Sequence, residues 1–512
     1  MEEIFSWEEK PSAIKEQIPT SKEKVPINKE TILLLLCCIV LGITGDTLLL
    51  RKPFGISYPI FVLIFYTLFI WRSKGMLKFK LDFGWLLSIP VIGLSATYSL
   101  YSNDILRALN FIAIPVLIIA QTMLITGCNK NKWSSFSFIL DVLEGMFVNV
   151  FRHMRKPFNI ISKLPIFGAQ KNKNIIKVLA GLAISFPLIF IVISLLSSAD
   201  IVFEHYIDKL PNLFTGIRID EVISRVITIT LLSLASFSYI WSLNNKSNGH
   251  ENCNKDKNRL KALDPVIVAT VLVCVNLIYA VFVMIQFTYL LGGTKPLDYS
   301  FSEYARRGFF ELVAVSLINF SILLLNVNFT RDTNRRFHFV LKVLNTFLIT
   351  CTLIILYSAH YRMWLYEDAY GYTYLRVFTH SFMVFIFILL IVSAIKVWND
   401  KLPLFKYYVI IGIVSYMIIN FINVDNIIAS KNIDRFKDGK PLDVAYFNYL
   451  SADTVSYLEE YIDDDKYGTE IRKVFGNKKN ALERKNGWLS FNISEYKAAK
   501  ILSKHKLDIN QR

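Results

Sequence analysis

Uninterrupted apolar runs of membrane-spanning length recur along this chain. A run of about 18 residues or more can cross the hydrocarbon core of a bilayer as one helix. Apolar residues make up 53% of the 512 positions, more than a soluble core needs. The sequence therefore predicts an all-α fold, a polytopic transmembrane helix bundle of about eleven spans. The runs lie at about 31–50, 55–71, 83–101, 105–127, 176–198, 222–243, 265–291, 309–329, 338–359, 375–397 and 404–423.

Basic residues are distributed unevenly between alternate loops. Lys and Arg number about 30 in one set of loops together with the N-terminal tail, against about 10 in the other set. Because basic residues near span ends stay on the cytoplasmic side, we expect the N-terminus inside and, after eleven spans, the C-terminus outside. The formal charge of +16 comes mainly from loops that face anionic lipid headgroups. The lipid bilayer is therefore a predicted partner and nucleic acid is not.

The predicted organisation has five segments. The N-terminal residues 1–30 are polar and are expected to form a disordered cytoplasmic tail. Four spans form a first transmembrane bundle, 31–127, and seven spans form a second, 176–424. A cytoplasmic loop, 128–175, lies between them. The C-terminal residues 425–512 alternate short helical patterns with turns and predict a small extracytoplasmic helical tail.

The cytoplasmic loop contains one amphipathic stretch, SFSFILDVLEGMFVNVFRHMRKPF. Its apolar residues recur at helical spacing, while Asp141, Glu144 and the basic residues lie off that stripe. The pattern predicts an interfacial helix on the inner leaflet. A helix that connects the two bundles from beneath is the favoured interpretation, and lipid sensing or partner docking is the alternative. The apolar stripe consists of Phe136, Ile139, Leu140, Leu143, Phe147, Val150, Phe151 and Met154.

No motif in the chain identifies a reaction. The six cysteines lack the spacing of metal ligands, and there is no phosphate-binding GxxxxGK[ST], no GxSxG and no HExxH. We therefore predict no metal and no cofactor, and expect neither ATP-driven nor zinc-dependent chemistry.

Ionisable and aromatic residues gather where spans of the second bundle reach the outer surface. Glu303, Arg307 and Glu311 are spaced i, i+4, i+8, which places them on one side of a helix. All are expected to converge on one membrane face and to form a substrate-binding site. The candidate residues are Glu303, Arg306, Arg307, Glu311, His360, Arg362, Tyr366, Glu367, Tyr370, Arg376 and His380.

Tyr372, Arg376 and His380 repeat the four-residue spacing on the tenth span and are expected on one side of that helix. Gly371, between two tyrosines, is expected to allow a tight turn.

Two interpretations of the outer cluster are open. Charges at the edge of hydrocarbon need partners or water, so the cluster is either a structural clasp of paired residues or an anion site. Arginines among tyrosines suit phosphate, pyrophosphate or carboxylate groups, because guanidinium offers bidentate donors and stacks on aromatic rings. His360 and His380 can move protons near neutral pH. Four deeper polar residues are predicted to form hydrogen bonds between helices: Asp46, Asn276, Gln286 and Asn319.

Several stretches of the sequence together resemble a known family. They are YARRGFFELVAVSLINF (Tyr304 to Phe320), HYRMWLYEDAYGYTYLR (His360 to Arg376), SSAD ending at Asp200, and NIDRF followed by LDVAYFNYLSADTV. Over roughly residues 85 to 465 the chain is similar to a large family of bacterial multi-pass membrane proteins classed only as a domain of unknown function. The resemblance implies a bacterial protein of the plasma membrane. It implies no activity.

Three hypotheses for the function remain. The favoured one is a permease-like or binding protein whose outer polar cavity takes a small anion or a lipid headgroup. The first alternative is an envelope enzyme that acts on lipid-linked glycans, with Glu311 or Glu367 as base. The second is a membrane sensor or assembly partner whose external tail detects a signal. Of these hypotheses, the two without enzymatic activity are together favoured over the enzyme.

Overall fold

The computed structural model of the protein describes residues 29–161 except positions 52, 76 and 78–81, isolated positions between 178 and 203, and residues 219–244, 263–291, 309–331, 334–485 and 487–505. The predicted N-terminal tail and the predicted span at 176–198 lie wholly or largely outside these residues. So do the candidate residues Glu303, Arg306 and Arg307.

Within the described residues the fold is all-α, as predicted, and the only extended pairing there is an isolated bridge between Leu263 and Thr330. Nine helices in this part of the chain are long and apolar enough to cross a bilayer, and α2 is a tenth apolar helix of 17 residues. These ten match ten of the eleven predicted spans. In chain order the helices are α1 (Lys29–Gly45), α2 (Ser57–Ser73), α3 (Phe83–Leu100), α4 (Asp104–Thr126), α5 (Ser137–Leu143), α6 (Asn149–His153), α7 (Lys156–Ile161), α8 (Ile219–Asn244), α9 (Pro265–Leu291), α10 (Phe309–Phe329), α11 (Arg335–Tyr370), α12 (Tyr374–Trp398), α13 (Leu404–Phe421), α14 (Val424–Lys437), α15 (Val455–Leu458), α16 (Gly468–Glu483) and α17 (Ile493–Leu502).

Contacts divide the chain into two compact units. One consists of residues 1–36 and 155–216, and the other of residues 37–154 and 217–512. The features described below belong to the larger unit. The division of the membrane helices into bundles at 31–127 and 176–424 stays a prediction.

Helices α2, α3 and α4 pack around an aromatic core, and α13 adds to it. The rings of Tyr58 and Tyr98 stack with centroids 4.2 Å apart. Asn110 of α4 is buried beside them, where its Nδ2 donates to Asn420 Oδ1 at 2.7 Å and its Oδ1 accepts from the Tyr416 hydroxyl at 2.6 Å. Because unpaired amides are costly in an apolar interior, this network fixes α13 against α4.

A second group of helices, α9 to α12, has its own apolar core. Helix α11 contacts the other three, and Leu348, Ile355 and Met363 on it are almost fully buried. With 36 residues α11 is about 54 Å long, well beyond the roughly 30 Å of a hydrocarbon core. The segment from His360 to Tyr370, predicted to follow a span that ends near 359, is therefore a helical continuation of that span.

Helices α5 and α6, joined by a π-helical turn at Glu144–Val148, form the predicted amphipathic helix. Its buried side carries Phe138 and Val142, which pack against α3 and α4. The predicted apolar stripe points away from this contact, and Phe136 and Phe151 on it are 69% and 67% exposed. One face of the helix thus packs against the bundle, and its apolar stripe faces outward. This is the arrangement expected of an interfacial helix.

Asp141 anchors this helix to the preceding loop. Its carboxylate accepts hydrogen bonds from the backbone amides of Lys130 and Asn131 at 2.9 and 2.7 Å. The buried carboxylate has its hydrogen-bonding capacity filled by these amides, and it thereby holds together the loop that follows α4.

The C-terminal residues form a helical tail with a separate core. Phe447, Phe475 and Val455 are buried between α14, α15, α16 and α17. The tail packs on the ends of membrane helices: Asn492 Nδ2 donates to the carbonyls of Tyr98 and Tyr101 at 2.8 and 2.9 Å. The tail therefore lies at the end of the bundle where α3 meets α4, which is the end that the charge pattern assigns to the outside. The orientation in the membrane stays a prediction.

Candidate functional site

Three of the predicted residues form a buried cluster between α11 and α12, which we call the histidine cluster. Glu367 is 3% exposed, and its Oε2 lies 2.9 Å from His380 Nε2. His380 Nδ1 and His360 Nδ1 are 2.9 Å apart, so one ring donates a hydrogen bond to the other. A carboxylate and two imidazoles can each bind or release a proton. The hydrogen bond between the two rings permits a proton to pass between His360 and His380, and the Glu367 carboxylate lies beside this pair.

The histidine cluster contains two buried atoms without a hydrogen bond in the described part of the chain, Glu367 Oε1 and His380 Nε2. The short contact from His380 to Glu367 is close enough for an ion pair but lacks the alignment of a hydrogen bond. Buried polar atoms are paired in the great majority of native proteins. Unsatisfied ones mark a place where a proton, water or ligand completes the arrangement.

Arg362 lies on another side of α11, facing α9. The residue is 8% exposed, and its Nη2 donates to Gln286 Oε1 at 3.4 Å. The Ser358 hydroxyl donates to the same oxygen at 2.9 Å. Arg362 and Glu367 are five residues apart, about 140° around the helix axis. The two charged residues therefore line adjacent but separate helix contacts.

Arg376 joins neither group. Its guanidinium lies over the Tyr366 ring, 4.2 Å from the centroid, and its Nη1 donates to the carbonyl of Gly371. Tyr366 and Tyr370 also contact each other, with ring centroids 5.0 Å apart. The arginine-on-aromatic stacking expected of an anion site is present here, and it ties the end of α11 to the start of α12.

The turn between these helices corrects one prediction. Gly371 has φ +85°, so it makes the tight turn that was expected. Helix α12 begins only at Tyr374, and Tyr372 lies in the turn, where its backbone N–H and carbonyl bond the Asn432 side chain at 2.7 and 2.9 Å. The expected helical series from Tyr372 through Arg376 is therefore wrong at its first member.

Among the candidates that the structure describes, the residues fall into separate groups. Glu311, in the first turn of α10, and Tyr370 are both exposed. The two cavities described below are not lined by any of the described candidates. Arg362, the histidine cluster and Arg376 are three neighbouring features around the C-terminal end of α11.

Deeper in this helix group, polar side chains form layers between α9, α10 and α11. Asn319 is the centre of one layer: its Oδ1 accepts from the Tyr279 hydroxyl at 2.6 Å, and its Nδ2 donates to Thr352 Oγ1 at 3.0 Å. Asn276 Nδ2 donates to the carbonyl of Leu344 at 3.0 Å. These bonds, with that of Gln286, confirm the predicted interhelical role of all three amides. Asp46 has the same role elsewhere, since it accepts from Thr228 at 2.7 Å and Arg51 at 3.3 Å.

The last polar layer opens into a cavity at the opposite end of α11. Asn326 Nδ2 approaches Asn345 Oδ1 at 3.4 Å, and both line a cavity of about 470 Å³ between α9, α10, α11 and α12. Its lining is strongly basic, with Arg331, His338, Lys342 and Lys396 around one carboxylate, Asp400. Polar residues of α11 therefore occur at intervals from this basic cavity to Arg362, with Asn345 and Thr352 facing α10 and Arg362 facing α9.

Sequence reasoning missed one buried charged site, the junction between the tail and the bundle. Asp425 is 1% exposed, and its carboxylate accepts from Asn103 Nδ2 at 2.5 Å, from the backbone N–H of Ser451 at 2.7 Å and from the Tyr374 hydroxyl. These residues, the tail junction, join α4, α12 and α14. No local pattern indicates them, because Asn103 and Asp425 are more than 300 positions apart.

Two further cations of the tail are placed around this junction. Arg435, 8% exposed, donates to the carbonyls of Asp368 and Ala369 at 3.1 and 3.0 Å and so caps the last turn of α11. The ammonium of Lys478 donates to the carbonyl of Leu450 at 2.6 Å, and burial lowers the pKa of Lys478 to about 8. The tail is therefore bonded to the C-terminal end of α11 and to the start of α12.

Comparison with known families now places the chain. A family model described as a domain of unknown function, DUF4153, matches residues 88–461. The chain belongs to this family. The match spans the membrane helices from α3 onward and the first part of the tail, to residue 461, and it confirms the resemblance that the motifs indicated. Comparison with curated proteins and with solved structures gives no match. With ten apolar helices in its described part, this DUF4153 member is a multi-pass integral membrane protein.

Proposed function

We propose that this DUF4153 protein is a permease-like protein of the plasma membrane, in which α9 to α12 bind a small anion or an anionic lipid headgroup near the outer end of α11. Arg362 supplies the fixed positive charge, and the histidine cluster supplies a proton acceptor. The observation that supports this function is the series of buried polar layers between α11 and its neighbours α9 and α10, from Arg362 to the basic cavity.

The energetics of burial favour an anion as the ligand. A guanidinium inside an apolar helix group is costly to bury, and Gln286 is one of the polar groups that stabilise Arg362 there. The same low dielectric strengthens the attraction of an anion for Arg362. Arg362 also presents a planar set of donors that suits phosphate or carboxylate oxygens.

The histidine cluster adds a reason for proton coupling. An ionised Glu367 repels an anion that approaches the outer end of α11, whereas a proton taken up by Glu367 or His380 removes that repulsion. Binding of the anion and of the proton would then favour each other.

The test is ligand-dependent thermal stabilisation of the purified protein in detergent, with phosphate, pyrophosphate, acetate and glycerol 1-phosphate as probes. We expect at least one anion to raise the unfolding temperature, and Arg362→Gln to remove that rise. Arg435→Gln is the matched control, because Arg435 is equally buried but lies in the tail. It should lower the unfolding temperature and keep the anion effect. If no anion stabilises the wild type, or both variants lose the effect alike, the proposed function is wrong.

A sensor role for the tail is the second candidate, and the contacts of Arg435 support it. A tail that caps α11 through the carbonyls of Asp368 and Ala369 can transmit a change in its own position to a membrane helix. The test is whether deleting residues 425–512 abolishes a cellular response while the protein still inserts in the membrane. An unchanged response in the inserted truncation would contradict it.

A further inference from the structure

A second cavity lies at the tail, away from Arg362 and the histidine cluster. It is a groove of about 660 Å³ between α17, the start of α14 and the end of α3. This volume is in the range of small-ligand sites. Because the groove shares no residue with the site of the proposed function, the two can be tested separately.

One wall of the groove is a line of lysines on α17. Lys497 and Lys500 line it together with Lys504 from the turn that follows the helix, and spacings of three and four residues place them on one side. Lys504 pairs with Glu459 at 3.2 Å. Lys497 and Lys500 are exposed and form no ion pair or hydrogen bond within the described ranges. The wall therefore carries two cations available to a ligand.

The opposite wall supplies hydrogen-bonding groups. Asp453, the carboxylate of the groove, already accepts from Asn423 at 3.0 Å and from the Ser451 hydroxyl at 2.5 Å. Asn426 Oδ1 is buried and has no hydrogen-bond partner in the part of the chain that the structure describes. A ligand that carries both an anionic group and a hydrogen-bond donor would satisfy the two walls together.

The position of the groove indicates where such a ligand comes from. Leu100 and Tyr101, at the end of membrane helix α3, form its floor on the bundle side, and the Tyr101 hydroxyl donates to the carbonyl of Phe421 at the end of α13. Phe491 and Tyr496, near the start of α17, are exposed aromatic residues of the kind that is typical of a membrane interface. The groove thus adjoins the ends of two membrane helices, where lipid headgroups are expected.

We propose that this groove binds a phosphate ester with a hydroxyl-bearing alcohol, such as the glycerophosphate headgroup of an anionic lipid. Lys497 and Lys500 contact the phosphate, and Asn426 accepts a hydrogen bond from the alcohol. A lipid would place its acyl chains beside α3, and a water-soluble ester would use the same three residues.

The test is isothermal titration of the full-length protein in maltoside micelles with three probes: dihexanoyl-phosphatidylglycerol, dihexanoyl-phosphatidylcholine and glycerol 1-phosphate. We expect the glycerol lipid to bind and the choline lipid, whose headgroup lacks a donor and a net charge, to bind at least about tenfold more weakly. The double variant Lys497→Gln, Lys500→Gln should weaken binding of the glycerol lipid by about thirtyfold, at roughly 1 kcal/mol for each lysine.

The matched control is Lys437→Gln, Lys473→Gln, which removes two exposed tail lysines outside the groove. It should change the affinity by less than about twofold. If glycerol 1-phosphate binds as tightly as dihexanoyl-phosphatidylglycerol and the Lys497→Gln, Lys500→Gln variant weakens both, that result supports the site, with a water-soluble ester as its ligand. Absence of binding by all three probes, or equal weakening by both variants, overturns the proposal. Elution of the groove variant at the wild-type volume in gel filtration excludes misfolding as the cause of a loss.

Discussion

The tail junction and the histidine cluster are both largely buried sets of polar residues near the turn that joins α11 to α12, and they differ in how completely their polar atoms are hydrogen-bonded. At the junction, Asp425 accepts three hydrogen bonds from three parts of the chain. In the cluster, Glu367 Oε1 and His380 Nε2 have no hydrogen bond in the described residues. A fully paired network specifies a structure, whereas an unpaired one leaves capacity for a ligand or a proton. We therefore assign stability to the junction and function to the cluster.

The largest effect on stability is expected from Asp425→Ala. The change leaves the Asn103 amide, the Tyr374 hydroxyl and the Ser451 N–H buried without an acceptor, at a cost of about 3–5 kcal/mol. Denaturant titration in detergent measures the loss. Asp434→Ala, on the exposed side of the same helix, is the control and should cost less than about 0.5 kcal/mol. Similar losses in both variants would show that the junction does not stabilise the fold.

Lys478→Met is expected to raise stability at neutral pH by about 2 kcal/mol. The pKa of Lys478 is about 8 in the folded protein and about 10.4 in the unfolded chain, so the unfolded chain binds more protons between these values. Wild-type stability should therefore rise from about pH 8 to about pH 10, by about 3 kcal/mol for this shift. The variant loses the bond to the Leu450 carbonyl, worth about 1 kcal/mol, and should lack the rise. Parallel pH profiles for the two proteins would contradict the burial of a charged lysine.

Gly371→Ala should destabilise the protein by about 1–3 kcal/mol. At φ +85° a side chain is strained, and the added Cβ would lie 2.8 Å from both Arg435 Nη1 and Asn432 Oδ1. Gly439→Ala is a matched control, because Gly439 has φ +80° with no atom within 4 Å of the added Cβ. The difference in unfolding free energy between the two variants measures the contact between the turn and the tail. No difference would mean that the tail does not hold this turn.

Glu367→Gln is expected to have the smallest effect on stability, below about 1 kcal/mol, because it keeps the shape and Oε1 has no hydrogen bond to lose. It should nevertheless abolish the pH dependence of anion stabilisation. The measurement is the anion-induced rise in unfolding temperature between pH 5 and pH 8. Asp368→Asn, an adjacent exposed carboxylate paired with Lys440, should keep that dependence. A large loss of stability in Glu367→Gln would show that the histidine cluster, like the tail junction, serves to stabilise the fold.

Hydropathy was sufficient to predict the membrane helices, because each span needs about 20 apolar residues and so stands out in sequence. The arrangement around α11 was only partly predictable. The stretch from His360 to Tyr370 has no Gly or Pro, so its continuation as a helix, and with it the separation of Arg362 from Glu367, could have been derived from the sequence. The tail junction could not, since Asn103 and Asp425 meet only after the helices have packed.

The length of α11 connects the two surfaces of the membrane mechanically. One end is bound to the tail through Arg435, and the other carries Lys342, whose ammonium lies 3.0 Å from Asp400 in the basic cavity. Because the helix is a stiff rod of about 54 Å, a tilt of about 5° around its middle moves each end by about 2 Å in opposite directions. A ligand that shifts the tail would in this way change the width of the cavity at the other end of α11, because the whole helix would move against α9, α10 and α12.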